Sequence, residues 1–154
     1  MIHVTTYEER YKEDFIRLNR EWIGTYFRLE DSDLKTFAQI DNYIIGGGGQ
    51  IFLAVDDESH EVAGCCALIF HPEKDCYELA KMAVSPHAQG KHIGYALGNA
   101  LLAYARQLGA KRIYLEGNTH LEASIHLYRK LGFKEIPLEG AVYERCDILM
   151  EILL

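Results

Sequence analysis

Four things are scarce in this sequence, and each scarcity excludes something. Basic charge is in deficit: 16 Lys and Arg stand against 23 Asp and Glu in 154 residues, a formal net charge of -7. A dedicated nucleic-acid binder draws its affinity from cations that neutralise phosphates, so that partner class is not expected. The deficit does not exclude a local anion site, because helix N-termini bind phosphate without net positive charge. Cysteine is sparse and unpatterned: Cys65, Cys66, Cys76 and Cys146 form no C-x-x-C pair, and the histidines complete no paired spacing. A structural zinc needs four such ligands, so no metal is expected. No apolar run approaches the roughly 20 residues that span a bilayer, and Met1-Ile2-His3 leads into a polar segment rather than a leader. The expectation is a cytoplasmic protein with reduced thiols and no membrane partner. Repeats are absent, and the one biased stretch, Gly46 to Gly49, lacks the Lys-Ser/Thr of a nucleotide loop. It reads as a flexible turn.

What is present is an ordinary globular composition, 49% hydrophobic and 25% charged. The length suits one domain, residues 1–154, with a single sizeable core. Ile2 to Thr5 alternates as a short strand. Tyr11, Phe15, Leu18 and Trp22 recur at helical spacing, with Glu8 and Glu9 placed to suit the helix dipole. A second helix is expected from about Leu34 to Ile44. Then come a strand Ile51 to Val55, a polar turn, a strand Val62 to Phe70 and a strand Cys76 to Val84, stopped by Ser85-Pro86. Leu97, Leu101, Tyr104 and Leu108 share a helical face ending at Gly109. Lys111 to Leu115 reads as a strand and Leu121 to Leu131 as a helix closed by Gly132. Phe133 to Ile136 and Val142 to Leu153 read as final strands. A meander followed by strand–helix–strand predicts an α+β fold: a mixed, mostly antiparallel sheet covered by helices.

The chemistry concentrates in Ala83-Val84-Ser85-Pro86-His87-Ala88-Gln89-Gly90-Lys91-His92-Ile93-Gly94-Tyr95-Ala96-Leu97. This is a strand, a turn of small residues and the start of a long helix. Backbone N–H groups at such a junction have no intrahelical partner, and with the helix dipole they form a cradle for an anion. Gly90 and Gly94 would let a ligand approach the backbone. A helix start with glycines for tight packing is equally compatible with these residues.

The stretch resembles motif A of the GNAT superfamily of N-acetyltransferases, Q/R-x-x-G-x-G/A. Gln89 and Gly94 fit, and His92 stands where the middle glycine is usual. Downstream, Leu115-Glu116-Gly117-Asn118 and Leu127-Tyr128-Arg129-Lys130-Leu131-Gly132-Phe133 resemble the family's fifth strand and following helix. The resemblance spans roughly residues 50–137. It implies helices on both faces of the sheet in a three-layer arrangement, with a V-shaped splay between the fourth and fifth strands. It also implies acetyl-CoA as cosubstrate and direct transfer to an amine. By motif position, Met82, Ala83 and Val84 would supply backbone to the pantetheine. Gln89, Gly90, Lys91, His92, Ile93, Gly94 and Tyr95 would hold the pyrophosphate, and Asn118 would contact the cofactor unless it is only a turn-former. The Met82 N–H would stabilise the oxyanion, and Tyr128 would protonate the leaving sulfur. Glu78, four residues before Met82 and so on its sheet face by the period of two, is the candidate base. Glu116 and Glu30 are alternatives, and water can also take the proton.

Acceptor choice in this superfamily comes from the first helices and their loop. Trp22, Tyr26, Phe27 and Glu30 would line a pocket suited to a cationic amine, or the aromatics would be core. Cys65-Cys66 reads as packing, His126 as an exposed helix residue and His120 as a loop residue. Tyr26-Phe27-x-Leu29-Glu30 and Gly49-x-Ile51-Phe52 resemble a bacterial subgroup sometimes fused to MarR-type regulators, although no winged-helix segment is present here. The expected partner is a small-molecule or peptide amine, and a homodimer is compatible with the sequence. Two other classes remain: a non-catalytic acyl-CoA sensor, favoured by His92, and a nucleotide-binding module built on Gly46 to Gly49.

Overall fold

A computed structural model describes all 154 residues. Its strands are β1 (Ile2–Thr6), β2 (Gln50–Asp56), β3 (Val62–His71), β4 (Cys76–Val84), β5 (Arg112–Gly117), β6 (Lys134–Ile136) and β7 (Ile148–Leu153). Its helices are α1 (Lys12–Tyr26), α2 (Asp31–Ala38), α3 (Ile93–Gln107) and α4 (Glu122–Leu131). The strands form one sheet in the order β1-β2-β3-β4-β5-β7-β6. Every pairing is antiparallel except β4 with β5.

The period of two sorts the meander's side chains between two apolar layers. Phe52, Cys66, Leu68 and Leu79 pack with Leu97 and Leu101 of α3 and Leu131 of α4. Leu53, Cys65, Ala67 and Ile69 pack with Phe15 and Leu18 of α1 and Phe37 of α2. Cys65 and Cys66 are thus fully buried on opposite faces. Burial pushes the Cys65 thiol up to about 12 and raises that of Cys66 as well, so neither supplies a thiolate.

Two irregularities in β4 make the site. The parallel pairing with β5 registers only Tyr77 with Ile113 and Glu78 with Tyr114. Beyond that point the strands diverge into a V, and the facing edge of β4 is left unpaired. The second is a bulge. Cys65 opposes Ala83 and Ala67 opposes Ala80, so Lys81 and Met82 together face Cys66. Lys81 takes the left-handed conformation, φ 56. The bulge inverts the alternation that the sequence implies. Glu78, Ala80 and Ala83 lie on the α1/α2 side, whereas Met82 packs towards α3 and α4.

Three boundaries differ from the sequence expectation. Helix α2 begins at Asp31, not Leu34, because the Glu30 side chain accepts from the Asp33 backbone while Asp33 Oδ2 accepts the Glu30 N–H at 2.9 Å. After Ala38 the chain widens into a π-type turn, Ile40–Ile45. Residues 142–147 are loop rather than strand: the N–H groups of Val142 and Tyr143 are drawn to Glu116 Oε1, at 2.9 and 3.0 Å.

Candidate active site

The junction after β4 is open backbone. Pro86–Ala88 form one tight helical turn, Gly90 sits at φ 83, and His92 caps α3 at φ 60, ψ 23. No acceptor in the protein receives the N–H groups of Gly90, Lys91, His92, Ile93, Gly94 or Tyr95; the first amide of this helix to bond is Ala96, to His92 O at 3.1 Å. The four-glycine turn is the opposite case. Its Gly46, Gly48 and Gly49 amides are consumed by Asp41 O, Ile45 O and Ile44 O, so it offers no cradle. His92 explains its own departure from the motif. The position needs the left-handed region that glycine enters freely, and histidine is among the side chains that tolerate it. The backbone geometry is kept at the cost of some strain. Gly94 has a packing duty too: a Cβ there would lie 2.9 Å from Leu127 Cδ2 of α4.

These amides open on a groove of about 610 Å³ between α3 and α4. Met82 and Val84 form its β4 wall, Gln89, Gly90 and His92 to Tyr95 the end at the start of α3, and Trp22 and Tyr26 its rim. Lys130, which sequence reasoning missed, also lines it, with Nζ 4.4 Å above the Tyr95 ring. At Trp22 and Met82 the groove meets a second cavity of about 100 Å³. There the structure brings together Glu78, Met82, Glu116, Asn118, Tyr128 and Tyr143. Burial raises the Tyr128 phenol to about 12 and also raises the Glu116 carboxyl, although two backbone amides favour its charge. Tyr128 is therefore a neutral donor at any physiological pH.

Not every sequence-predicted residue reaches these spaces. Glu30 lines neither: its carboxylate takes the Glu144 N–H at 2.9 Å and Arg145 Nη1 at 3.0 Å. Asn118 faces the small cavity rather than the groove. Its carboxamide donates to Arg145 O at 2.7 Å and accepts the His120 N–H at 2.8 Å, the turn-forming arrangement. Lys91 is exposed and Tyr26 borders only the groove.

Beneath the small cavity lies an ionic cluster with no sequence signature. Arg145 donates to both oxygens of Asp33, at 2.8 and 2.9 Å, and Lys81 Nζ donates to Asp33 Oδ1 and to the Tyr143 hydroxyl, the latter at 3.0 Å. Burial opposes the Asp33 charge, but these donors outweigh it and hold its carboxyl down at about 2. The cluster joins α2, the β4 bulge and the 137–147 loop, which are brought together only by folding. The cationic charges of Lys81 and Arg145 are matched by Asp33 and Glu30, so Glu78 and Glu116 leave the cavity net acidic.

The family model for the acetyltransferase (GNAT) family matches residues 6–133. The chain belongs to the GNAT acetyltransferase family. This GNAT domain is 36% identical over 89 residues to the uncharacterised N-acetyltransferase YjgM of Escherichia coli, a match covering 57% of this chain and 53% of that protein. It is 26% identical over 148 residues to the uncharacterised N-acetyltransferase C1271.07c of Schizosaccharomyces pombe, covering 88% of each. Among solved structures, a GNAT superfamily phosphinothricin acetyltransferase from Sinorhizobium meliloti in complex with acetyl-CoA has the same fold. Its TM-score is 0.80 at 22% identity, over 99% of this chain and 88% of that one. The amide-lined groove of this GNAT domain lies between α3 and α4 with β4 as its wall, and the small cavity that it meets at Met82 is the space between β4 and β5.

Proposed function

We propose that the protein transfers the acetyl group of acetyl-CoA to a primary amine by direct attack within a ternary complex. The observation that carries this reading is the run of backbone N–H groups without an acceptor, Gly90 to Tyr95, of which all but that of Lys91 belong to residues lining the groove of about 610 Å³. Helix-start amides without intrahelical partners are left to water or to a ligand, and several of them aligned with the helix dipole favour an anion. Lys130 adds a cation to the same groove. An overall -7 chain thereby has a local grip for a pyrophosphate.

Acetyl-CoA, when bound, supplies an activated thioester. The chain's own groups then divide the work. The unpaired edge of β4 offers backbone at Met82, Ala83 and Val84 to an extended ligand, as a neighbouring strand would. The Met82 N–H, re-aimed by the bulge, serves the oxyanion that develops on the carbonyl oxygen. Tyr128, protonated by its burial, donates to the departing sulfur; with a thiol ordinarily near 8.5, this is a hydrogen bond first and a proton delivery second. Glu78 takes the amine proton. The acidic excess of the small cavity favours a cationic amine as acceptor, with Trp22 standing where the two spaces join.

Calorimetric titration with acetyl-CoA, together with thiol release on a panel of amines, tests the reading. Binding plus release with at least one amine is the expected result. Binding without release for any amine would favour the acyl-CoA sensor.

A further inference from the structure

Glu78 has a partner that lies outside both cavities. His71, the last residue of β3, places Nε2 2.8 Å from Glu78 Oε1, across the β3–β4 hairpin. Its Nδ1 lies 3.5 Å from Glu73 Oε1. The three side chains run from the interior outwards: Glu78 is 6% exposed, His71 12% and Glu73 64%. The imidazole is held between two aromatic rings, Tyr43 at 6.3 Å edge-on and Tyr114 at 5.9 Å. We propose that His71 is the positioning residue of the acceptor site, donating Nε2–H to Glu78 Oε1 so that Oε2 is left to receive the amine proton.

The tautomer follows from burial. A neutral imidazole has one N–H, and of its two carboxylate neighbours only Glu78 is removed from water. An ionised carboxylate at that depth needs a donor, and no other side chain supplies one to Glu78. The imidazole Nδ1 faces Glu73 on the solvent side. The groups that face His71 from the surrounding elements are Glu78 and Cys76 of β4, Glu73 of the hairpin turn, Tyr43 of the π-type turn and Tyr114 of β5. Lys74 and Arg112 lie behind the Tyr114 ring, at 5.0 and 5.7 Å.

This inference rests on acetyl transfer with Glu78 as base, and the experiment separates the three levels. The pH profile of kcat/KM for the acceptor is measured on wild type, His71→Leu, His71→Gln and Glu78→Gln, with acetyl-CoA affinity measured by calorimetry. His71→Leu should lower kcat about tenfold while leaving acetyl-CoA affinity unchanged. Its acidic limb should move to higher pH by about one unit, because the base has lost its donor. His71→Gln, which keeps an N–H, should restore the wild-type limb. Should His71→Leu not fold, His71→Asn, polar but too short to reach Glu78, is expected to show the same displaced limb. A wild-type profile in His71→Leu or His71→Asn, or a uniform loss across pH that His71→Gln does not relieve, overturns the proposal alone. Full activity in Glu78→Gln removes the base assignment and the positioning role with it. No thiol release by wild type with any amine removes the transfer reading itself.

Discussion

The two cavities that meet at Met82 are made of different materials. The 610 Å³ groove has a backbone end: one contiguous segment, Gly90 to Tyr95, whose amides have no acceptor in the protein, five of them at residues that line the groove. The 100 Å³ cavity is side chain: Glu78, Glu116, Tyr128 and Tyr143 arrive from four separate parts of the chain, over an ionic cluster that holds the Tyr143 hydroxyl. A backbone site depends on conformation and tolerates side-chain change. A side-chain site depends on each residue and on the network that holds it. On the proposed function the first would bind the cosubstrate and the second choose the acceptor, and mutations should separate the two.

The largest expected effect is on the cluster. Asp33→Ala leaves Lys81 and Arg145 without their shared carboxylate, and breaking a buried pair in this way costs about 3–5 kcal/mol. Chemical denaturation should show that loss, while the protein that remains folded still binds acetyl-CoA; equal loss of binding would contradict the separation. Tyr128→Phe removes one hydroxyl from the small cavity. It should lower kcat about a hundredfold with acetyl-CoA affinity kept, read by thiol release and calorimetry. Unchanged turnover would remove Tyr128 from the chemistry.

Acid should act on the same cluster. The Asp33 carboxyl is held at about 2 in the folded chain against an ordinary 3.8. A depressed carboxyl contributes stability that is present above its unfolded pKa and is lost as pH falls through the folded value. The contribution is about 2 kcal/mol. It should be full at neutral pH and decline below about pH 4, and the stability gap between wild type and Asp33→Ala should narrow with it.

The groove should respond more mildly. Gly90→Ala forces a Cβ into φ 83, where open space surrounds it, so conformation alone sets the cost. About 1–2 kcal/mol is expected, seen as lower stability and several-fold weaker acetyl-CoA binding with the acceptor KM unchanged. The smallest effect is expected from His92→Gly. It relieves the left-handed strain at φ 60 and should change stability by less than about 1 kcal/mol, with acetyl-CoA affinity retained. A large loss of affinity would mean that the imidazole itself holds the ligand, and the groove would no longer be purely backbone.

Legibility followed the same division. The order of strands and helices and the strand–turn–helix junction at Ala83 to Leu97 were readable because hydrophobic period, glycine position and helix starts are local signals; apolar layers on both faces of the sheet followed only from the family resemblance, the length having suggested a single core. One miss was local, the Glu30–Asp33 capping box that starts α2 at Asp31; those at the site were non-local. Period two placed Glu78 and Met82 on one face, and the bulge at Lys81 placed them on opposite ones. Residues 142–147 carry strand-like composition, yet Glu116 competes for their amides and keeps them as loop. Glu30 read as an acceptor-pocket carboxylate and is instead tied to Arg145, 115 residues away. No spacing in the sequence connects Asp33 to Lys81, or His71 to Glu78.

By itself, then, the sequence determined the acidic balance, the order of strands and helices and the open amides at the start of α3, since each is encoded in neighbouring residues and needs no distant partner. Only the tertiary structure decided which carboxylates are free, which are spent in ion pairs, and which histidine stands behind Glu78. Those outcomes depend on burial and on contacts between segments far apart in the chain, where desolvation makes every unpaired charge costly and so fixes who pairs with whom.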